Sequence, residues 1–287
     1  MVSIIIPTYN RASTLKRCIE SLLDQTYSDF EIIIIDDNSS DNSEAIIKNI
    51  GDPRIKYLRH GKNLGANAAR NTGIKHAVGE LIAFQDSDDE WFNNKLEIQI
   101  KELKESGADI VASSFIRYME GKRTVLPKEN INDEELSKRL LYKNYISTQT
   151  ILGKANCFKD NEFDKKLPRF QDWELMIRLS RQYRIHFIKQ PLVNVYVQKD
   201  SITKQPQKAI DAINIIMKKH KEIINEDNRA LAAFSSLLGD IYLQMRDFSK
   251  CYYYESLKYN KINYKTYIRL IIYIIKKIQF NISSVKL

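Results

Sequence analysis

The stretch VSIIIPTYNRASTLKRCIESLLDQ (residues 2–25) indicates the fold, because it joins an uninterrupted apolar run to a helical pattern. The run VSIII contains consecutive β-branched residues without polar alternation, which is typical of a strand buried on both faces. The segment ASTLKRCIESLLDQ then places its apolar residues at helical spacing. This stretch therefore predicts a strand followed by a covering helix.

The same order of strand and helix recurs through the first part of the chain. Further apolar runs are FEIIII (30–35), IKYL (55–58), ELIAF (80–84) and DIVASSF (109–115), separated by the helical patterns DNSEAIIKNI (41–50), LGANAARNTGIKHAV (64–78) and NNKLEIQIKELKES (93–106). Because continuous Ile and Val runs are typical of parallel sheets, we predict an α/β fold with a Rossmann-like, mostly parallel sheet covered by helices.

Composition excludes several classes of protein. The chain has 287 residues, of which 43% are hydrophobic and 28% charged, enough for one large globular domain and an appendage. The cysteines Cys18, Cys157 and Cys251 form no CxxC pair, so we expect neither disulfides nor zinc, as in a reducing cytoplasm. A signal peptide and a membrane span are disfavoured, because no suitable apolar segment occurs.

The positive charge lies mainly at the C-terminal end. Residues 206–287 contain 14 Lys and Arg against 7 Asp and Glu, which accounts for +7 of the net charge of +9. No zinc-finger spacing, aromatic RNA-binding motif or basic-zipper pattern accompanies this charge. We therefore expect no nucleic-acid partner.

Polar clusters follow three of the predicted strands. They are Pro7–Arg11, Asp36–Asn38 and Asp86–Glu90. A single cluster of this kind is compatible with a solvated turn. Ligands of open α/β sheets bind beyond the carboxyl ends of the strands, so three clusters at such positions predict one binding site.

The acidic cluster indicates what the site binds. The chain has neither a GxGxxG nor a GxxxxGK[ST] motif for phosphates, and neither acidic loop has the EF-hand pattern. The carboxylates of Asp86 and Asp88 suit Mg²⁺ or Mn²⁺, which usually complete their coordination with water and substrate phosphates. We predict that the cluster from Asp86 to Glu90 holds a divalent cation against a diphosphate.

Five segments in this order resemble the family 2 inverting glycosyltransferases, which have the GT-A fold. The resemblance covers roughly residues 1–200, and its segments are SIIIPTYNRASTL, IIIIDDNSSDNS, GANAARNTG, the DSD of FQDSDDEW, and QDWEL. For the donor site, the resemblance implies a nucleotide-sugar, usually of UDP, and Mn²⁺ or Mg²⁺. The implied contacts are Pro7, Thr8, Tyr9 and Asp37 to the base, Arg70 with Asn67 on the same helix face, Asp86 near the ribose, and Asp88 to the metal.

For the transfer step, the resemblance implies that Asp172 of QDWEL (171–175) is the catalytic base. Glu174 is the nearest competitor, and an N-cap role for Asp172 is the structural alternative. Many members of the family have a histidine three positions after a tyrosine in the segment matching YVQKDSIT. Here the residue three positions after Tyr196 is Lys199, and we expect Lys199 to contact the diphosphate in place of ligating the metal.

The remaining segments predict a division into residues 1–205 and an all-helical region, 206–287. Residues 116–170 are expected to cover the acceptor side. The segment LLGDIYLQMRDFSKCYYYESLKYN (237–260) resembles one tetratricopeptide hairpin. The basic amphipathic end YIRLIIYIIKKIQF (267–280) allows two interpretations: the favoured one is a last core helix, and the other is a helix lying in an anionic membrane surface.

These features together predict an enzyme, a hexosyl- or N-acetylhexosaminyl-transferase that uses a UDP-sugar with inversion. The expected acceptor is a glycan or a lipid-linked sugar in the synthesis of a surface polysaccharide, glycolipid or teichoic-type polymer. The expected location is the cytoplasm, with peripheral contact to the inner face of the cell membrane. A non-catalytic binding protein and a sugar nucleotidyltransferase stay open as alternatives.

Overall fold

A computed structural model of the chain describes residues 1–197 and 205–285, with side chains up to residue 282. Its contacts divide the chain into two units. The first contains Met1–Leu140, Asn144–Lys166 and 171–197, and the second contains Leu141–Lys143, Leu167–Phe170 and 205–285. The predicted domain boundary between residues 205 and 206 lies next to residues 198–204, which the structure does not describe, and it stays a prediction.

The first unit alternates strands and helices. Its elements are β1 (Val2–Thr8), α1 (Ala12–Leu23), β2 (Phe30–Asp36), α2 (Ser43–Ile50), β3 (Ile55–Arg59), α3 (Ala66–His76), β4 (Leu81–Phe84), β5 (Glu90–Trp91), α4 (Lys95–Ser106), β6 (Ile110–Met119), β7 (Lys122–Leu126), α5 (Asp133–Leu140), a 3₁₀ turn (Thr148–Thr150), β8 (Ile151–Lys154), α6 (Ala155–Lys159), α7 (Gln171–Leu179) and β9 (Ile185–Tyr196). The predicted α/β class is confirmed, although β6 continues beyond residue 115 to Met119.

The strands form one sheet in the order β3-β2-β1-β4-β8-β6-β9-β5, with β7 paired to β6. Strands β1, β2, β3 and β4 are parallel neighbours. Strand β8 runs antiparallel to both β4 and β6, so β6 and its parallel neighbour β9 have the direction of β1. Only β5, β7 and β8 of the described strands run the other way, and the sheet is mostly parallel as predicted.

Strand β1 lies at the centre of the parallel part and is buried along its whole length. Its register pairs Thr8 with Asp36 on β2 and Ile5 with Phe84 on β4. The carboxyl ends of the three strands therefore meet at one edge of the sheet. This register brings together the three polar clusters identified in the sequence.

The second unit is helical in its described residues 205–285. Its helices are α8 (Pro206–Lys219), α9 (Lys221–Asn225), α10 (Asn228–Gln244), α11 (Tyr252–Tyr259) and α12 (Tyr264–Val285). Helices α10 and α11 form a hairpin in which Gly239 leaves space for the ring of Tyr253, whose hydroxyl donates to Asp240 Oδ1 at 2.8 Å. Nowhere in the described ranges does a helix combine the length and the apolar content needed to cross a membrane.

We predict that Gly73→Ala destabilises the first unit. A Cβ atom at Gly73 of α3 would overlap the buried side chain of Ile5 on β1. Alanine gains about 1 kcal/mol in helix propensity over glycine, but overpacking a core costs about 1–3 kcal/mol. We expect the free energy of unfolding to fall by about 1 kcal/mol in urea titrations.

The matched control is Gly61→Ala, because a Cβ there meets no atom within 4 Å and the backbone is not left-handed. Tryptophan fluorescence suits the measurement, since Trp91 and Trp173 both lie in the first unit. Equal unfolding midpoints for the two variants would contradict this account of how α3 packs on β1.

Candidate functional site

The loop after β1 presents Tyr9 at the edge of the sheet. Pro7 and Thr8 are buried at the end of the strand, and the Thr8 hydroxyl has no hydrogen-bond partner in the described part of the chain. Tyr9 is 47% exposed. The next residue, Asn10, has a φ of 52°, and its backbone N donates to Ser39 Oγ at 2.9 Å. The loop is thus held by the segment after β2 and leaves Tyr9 accessible.

Asp37, predicted to contact a base, is buried and organises the neighbouring loop. Its backbone N donates to Thr8 O at 2.8 Å. Its Oδ1 accepts from the backbone N of Leu64 at 2.8 Å and lies 2.7 Å from Nδ1 of His60, while Oδ2 accepts from Gly65 N at 2.6 Å. Asp37 therefore ties the start of α3 to the edge of the sheet, and its contact with a base stays a prediction.

Arg70 of α3 is buried and points at the acidic cluster. Its Nη2 donates to Asp86 Oδ1 at 2.6 Å, and its guanidinium lies 5.4 Å from the ring centroid of Phe163. Its Nη1 donates to Asn67 Oδ1 at 3.4 Å, while Asn67 Nδ2 donates to Asp164 O at 2.8 Å. The two residues predicted to share a helix face do so, but Asn67 is buried and supports Arg70 from inside the protein.

The carboxylates of the acidic cluster do not act as one group. Asp89 turns into the protein, where Oδ1 accepts from the backbone N of Tyr196 at 2.8 Å and Oδ2 accepts from Gln149 Nε2 at 2.7 Å. Burial, followed by the charges of Asp88 and Asp86, raises the pKa of Asp89. Both oxygens of Asp89 are thus engaged by protein groups, and the expectation that the cluster holds a cation stays a prediction.

Glu90 is also engaged by protein groups. Its carboxylate forms an ion pair with Arg17 at 2.5 Å and accepts from the Tyr196 hydroxyl at 3.0 Å. Arg17 lies 4.3 Å from the centroid of the Tyr196 ring, which stacks on Tyr118. Glu90 therefore fastens β5 to the end of β9. Lys199, predicted as a diphosphate contact, lies outside the described residues.

Asp86 and Asp88 remain near the surface, with 30% and 22% of their side chains exposed. Asp88 Oδ2 lies 3.9 Å from Nη2 of Arg11. Among the described residues there is no group of three potential metal ligands. A pair of carboxylates still fits Mg²⁺ or Mn²⁺, which binds few protein groups and keeps water and phosphate ligands. The repulsion that raises the Asp89 pKa would fall if a cation were present.

Asp172 lies in the first turn of α7, within electrostatic range of both Arg70 and Asp86. Its Oδ1 accepts from Trp173 N at 2.7 Å and from Asn144 Nδ2 at 3.0 Å. Burial raises its pKa to about 6; Arg70 acts to lower that pKa, and Asp86 acts to raise it. The structure thus brings together three residues that are far apart in sequence. Because Asp172 is the second residue of α7, the N-cap alternative is not the observed arrangement.

Glu174, the competing carboxylate of the same helix, is excluded as a base by its surroundings. It is fully buried, and its two oxygens accept from Nε and Nη2 of Arg178 at 2.9 and 3.0 Å. Arg178 also donates to the carbonyl of Glu162. A carboxylate held in this way is an internal ion pair and not an accessible base.

Asn144 and Gln149 were not predicted as functional residues. Both lie in a segment expected only to cover the acceptor side, yet their amides contact Asp172 and Asp89. No periodicity or motif marks them. Their segment, YKNYISTQTIL (142–152), mixes polar and apolar residues without a regular pattern.

Solved structures with the same fold have low sequence identity to this chain. TarS of S. aureus in complex with UDP-GlcNAc matches with a TM-score of 0.64 and 18% identity, over 90% of this chain and 91% of TarS. The mannosyltransferase PcManGT of Pyrobaculum calidifontis, in complex with GDP-Man and Mn²⁺, matches with a TM-score of 0.62 and 15% identity, over 98% and 86% of the two chains. These likenesses establish the GT-A fold.

Relatives are also detected by sequence. An uncharacterized glycosyltransferase of Rickettsia bellii is 36% identical over 207 residues, covering 70% of this chain and 29% of the relative. The chain spans only about a third of the length of this relative and of two further rickettsial ones. The UDP-Glc:alpha-D-GlcNAc-diphosphoundecaprenol beta-1,3-glucosyltransferase WfgD of Escherichia coli is 43% identical over 192 residues, covering 66% of this chain and 73% of WfgD.

The family assignment rests on the part of the chain that contains the sheet edge and the acidic cluster. Residues 3–161 match the sequence profile of glycosyl transferase family 2. This match covers more than half of the 287 residues. The chain belongs to glycosyl transferase family 2.

Proposed function

We propose that the chain is a metal-dependent glycosyltransferase that moves a sugar from a UDP-sugar to a hydroxyl group with inversion. The observation that carries the proposal is the Asp172 carboxylate in the first turn of α7, within electrostatic range of Arg70 and Asp86, whose ion pair lies just beyond the end of β4. A carboxylate that can accept a proton thus lies beside the segment best suited to a nucleotide diphosphate.

The base of the donor is assigned to the loop after β1. Tyr9 is exposed there, and the buried Thr8 hydroxyl has no partner in the described ranges, so both suit contacts to a nucleotide. Pro7 and Asp37 shape this loop from beneath. A uridine nucleotide is supported by the donor in the name of WfgD and by the UDP-GlcNAc complex of TarS. The transferred sugar is then a hexose or an N-acetylhexosamine.

The diphosphate is assigned to Asp88, Arg70 and Lys199. Asp88 would hold Mn²⁺ or Mg²⁺, consistent with the Mn²⁺ in the PcManGT complex. When bound, such a cation supplies positive charge against the departing diphosphate. Asp86, fixed by Arg70, is proposed to lie near the ribose. Lys199 is proposed to contact the diphosphate directly, since a protonated lysine is a hydrogen-bond donor.

Asp172 is proposed as the base of the transfer step. The acceptor oxygen forms a bond to the anomeric carbon while the bond from that carbon to the diphosphate oxygen breaks, and Asp172 takes the hydroxyl proton. Attack from the face opposite the leaving group inverts the anomeric centre. With a pKa of about 6, Asp172 is mostly deprotonated at neutral pH and can act as a base.

The acceptor is proposed to be a lipid-linked or glycan hydroxyl. The name of WfgD gives an acceptor built on diphosphoundecaprenol. Another relative, WcaA of Escherichia coli, is named as a colanic acid biosynthesis glycosyl transferase. A role in the synthesis of a surface polysaccharide, glycolipid or teichoic-type polymer follows from these likenesses. Such an enzyme would work in the cytoplasm at the inner face of the cell membrane.

Helix α12 supports a peripheral membrane contact. Up to residue 282, the predicted packing as a last core helix holds for the row of Thr266, Leu270 and Tyr273, whereas the other apolar side chains of α12 in that range are exposed. Four exposed residues on the opposite side are 49–57% accessible: Ile268, Ile271, Ile275 and Ile278. Residues 256–287 contain seven Lys and Arg and no acidic residue. An apolar face with basic flanks suits an anionic lipid surface.

We predict that UDP binds in a metal-dependent manner through Asp88. Calorimetric titration of the protein with UDP should give heat of binding that increases when Mn²⁺ is added. Asp88→Ala should remove the increase, because the main metal ligand is lost. Asp24→Ala is the matched control, since Asp24 is exposed and follows the C-terminal end of α1, whereas the loop after β1 precedes its N-terminal end. No UDP binding with or without Mn²⁺ would contradict the proposed donor.

We predict that Asp172→Asn lowers turnover by about 100-fold or more while UDP affinity stays unchanged, because only the proton acceptor is lost. The assay is UDP release, screened over UDP-sugars and polyprenyl-diphosphate acceptors. For the unmodified protein, kcat/KM should fall as the pH drops through about 6, since protonated Asp172 cannot accept a proton.

The control is Asp160→Asn, an exposed carboxylate in the same unit. Equal loss of UDP binding in Asp172→Asn and Asp88→Ala would show that Asp172 belongs to the donor site and not to the transfer step.

We predict that the protein sediments with vesicles of phosphatidylcholine and phosphatidylglycerol, and far less with phosphatidylcholine alone. Changing Ile271, Ile275 and Ile278 together to Ser should abolish sedimentation, because the apolar face is removed. Val78→Ser with Val125→Ser serves as the control, since both valines are exposed in the first unit. Equal sedimentation of the triple variant and the unmodified protein would contradict a contact through α12.

A further inference from the structure

The side-chain amide of Asn144 is held in one orientation. Its Nδ2 donates to Asp172 Oδ1 at 3.0 Å, and its Oδ1 accepts from the backbone N of Ile146 at 3.2 Å. Turning the amide over would place a carbonyl oxygen against a carboxylate and an NH₂ group against a backbone N–H. The contact with Ile146 therefore makes Asn144 a hydrogen-bond donor towards Asp172.

The two oxygens of Asp172 are not equivalent. Oδ1 accepts from both Asn144 Nδ2 and Trp173 N, whereas Oδ2 accepts no hydrogen bond from residues that the structure describes. Because Oδ1 accepts two hydrogen bonds, the rotation of the carboxylate about the Cβ–Cγ bond of Asp172 is fixed. The second oxygen is then the one available to an incoming hydroxyl group.

We infer that Asn144 is a positioning residue for the transfer step, holding the Asp172 carboxylate so that Oδ2 takes the proton of the acceptor. This inference rests on the proposed role of Asp172 as the base. Asn144 itself has no proposed contact with the donor or acceptor. It acts through Asp172, by the general rule that a catalytic group is effective only when its neighbours fix its orientation.

The segment around Asn144 also has contacts that do not involve the Asn144 side chain. Ile146 is buried, and the indole N–H of Trp173 donates to Leu140 O at 2.5 Å. Truncating Asn144 removes two contacts, one with Asp172 and one with the backbone N of Ile146. Asn144→Asp separates the two, because its carboxylate can still accept from Ile146 N while the donor to Asp172 is lost.

Among the described residues, the charged groups with the largest effect on Asp172 are Arg70 of α3, which lowers its pKa, and Asp86 after β4, which raises it. The hydrogen bond from Asn144 also lowers this pKa, so removing the donor should raise it. Asn144→Asp should raise it further, because a second carboxylate would then face Asp172.

The test is a titration of the full chain, ¹³C-labelled at aspartate carboxyl groups and followed by NMR. The Asp172 signal is assigned by its loss in Asp172→Asn. We expect its midpoint to rise by about one pH unit in Asn144→Ala, the scale of one hydrogen bond to a charged group, and by more in Asn144→Asp. Asn130→Ala is the control, because Asn130 is exposed in the same unit.

In the transfer assay, Asn144→Ala should lower kcat about tenfold or more, leave the KM for the donor unchanged, and shift the acid limb of the pH profile upwards. An unchanged Asp172 midpoint in both Asn144 variants would overturn the inference. Full turnover by Asp172→Asn would also overturn it, even with a shifted midpoint in the Asn144 variants, because Asp172 would then not be the base. UDP calorimetry keeps these outcomes separate from a failure of the donor site.

Discussion

The arrangement of the site depends on the parallel pairing of β1 with its neighbours β2 and β4. In this register Thr8 lies opposite Asp36 and Ile5 opposite Phe84, so the loops after the three strands leave the sheet at the same edge. The burial of β1 makes this register strongly specified, because a slip of one residue would move Ile5 away from the space that Gly73 of α3 leaves for it. The contact of Arg70 with Asp86 then becomes available, since α3 packs beside this edge.

A second constraint is the repulsion among four carboxylates within five positions. The fold resolves it by giving two of them internal partners: Asp89 accepts from Gln149 and from the Tyr196 backbone, and Glu90 binds Arg17. Asp86 and Asp88 are left near the surface, the first of them paired with buried Arg70. The loop is therefore both an anchor for the end of β9 and a candidate metal site.

Much of the fold could be predicted from the chain, because burial on both faces leaves a strong local pattern. The Ile runs of β1 and β2 lie where the strands are observed, and the helical pattern predicted for residues 93–106 matches α4 closely. The site was predicted less completely. Asp172 and Arg70 do come together, but Asn67 and Asp37 make internal contacts, because a helix face or a strand end does not record how deeply a side chain is buried.

The sequence by itself determined the order of strands and helices, the family, and the residue types at the sheet edge, because these depend on periodicity and short motifs. Only the tertiary structure decided which carboxylates stay accessible and which residues hold them. The partner of Asp172 lies 28 positions away in Asn144, and those of Asp89 lie 60 and 107 positions away in Gln149 and Tyr196. Such partners are chosen by the packing of β9, α7 and the segment before β8, and no local pattern in the chain records that packing.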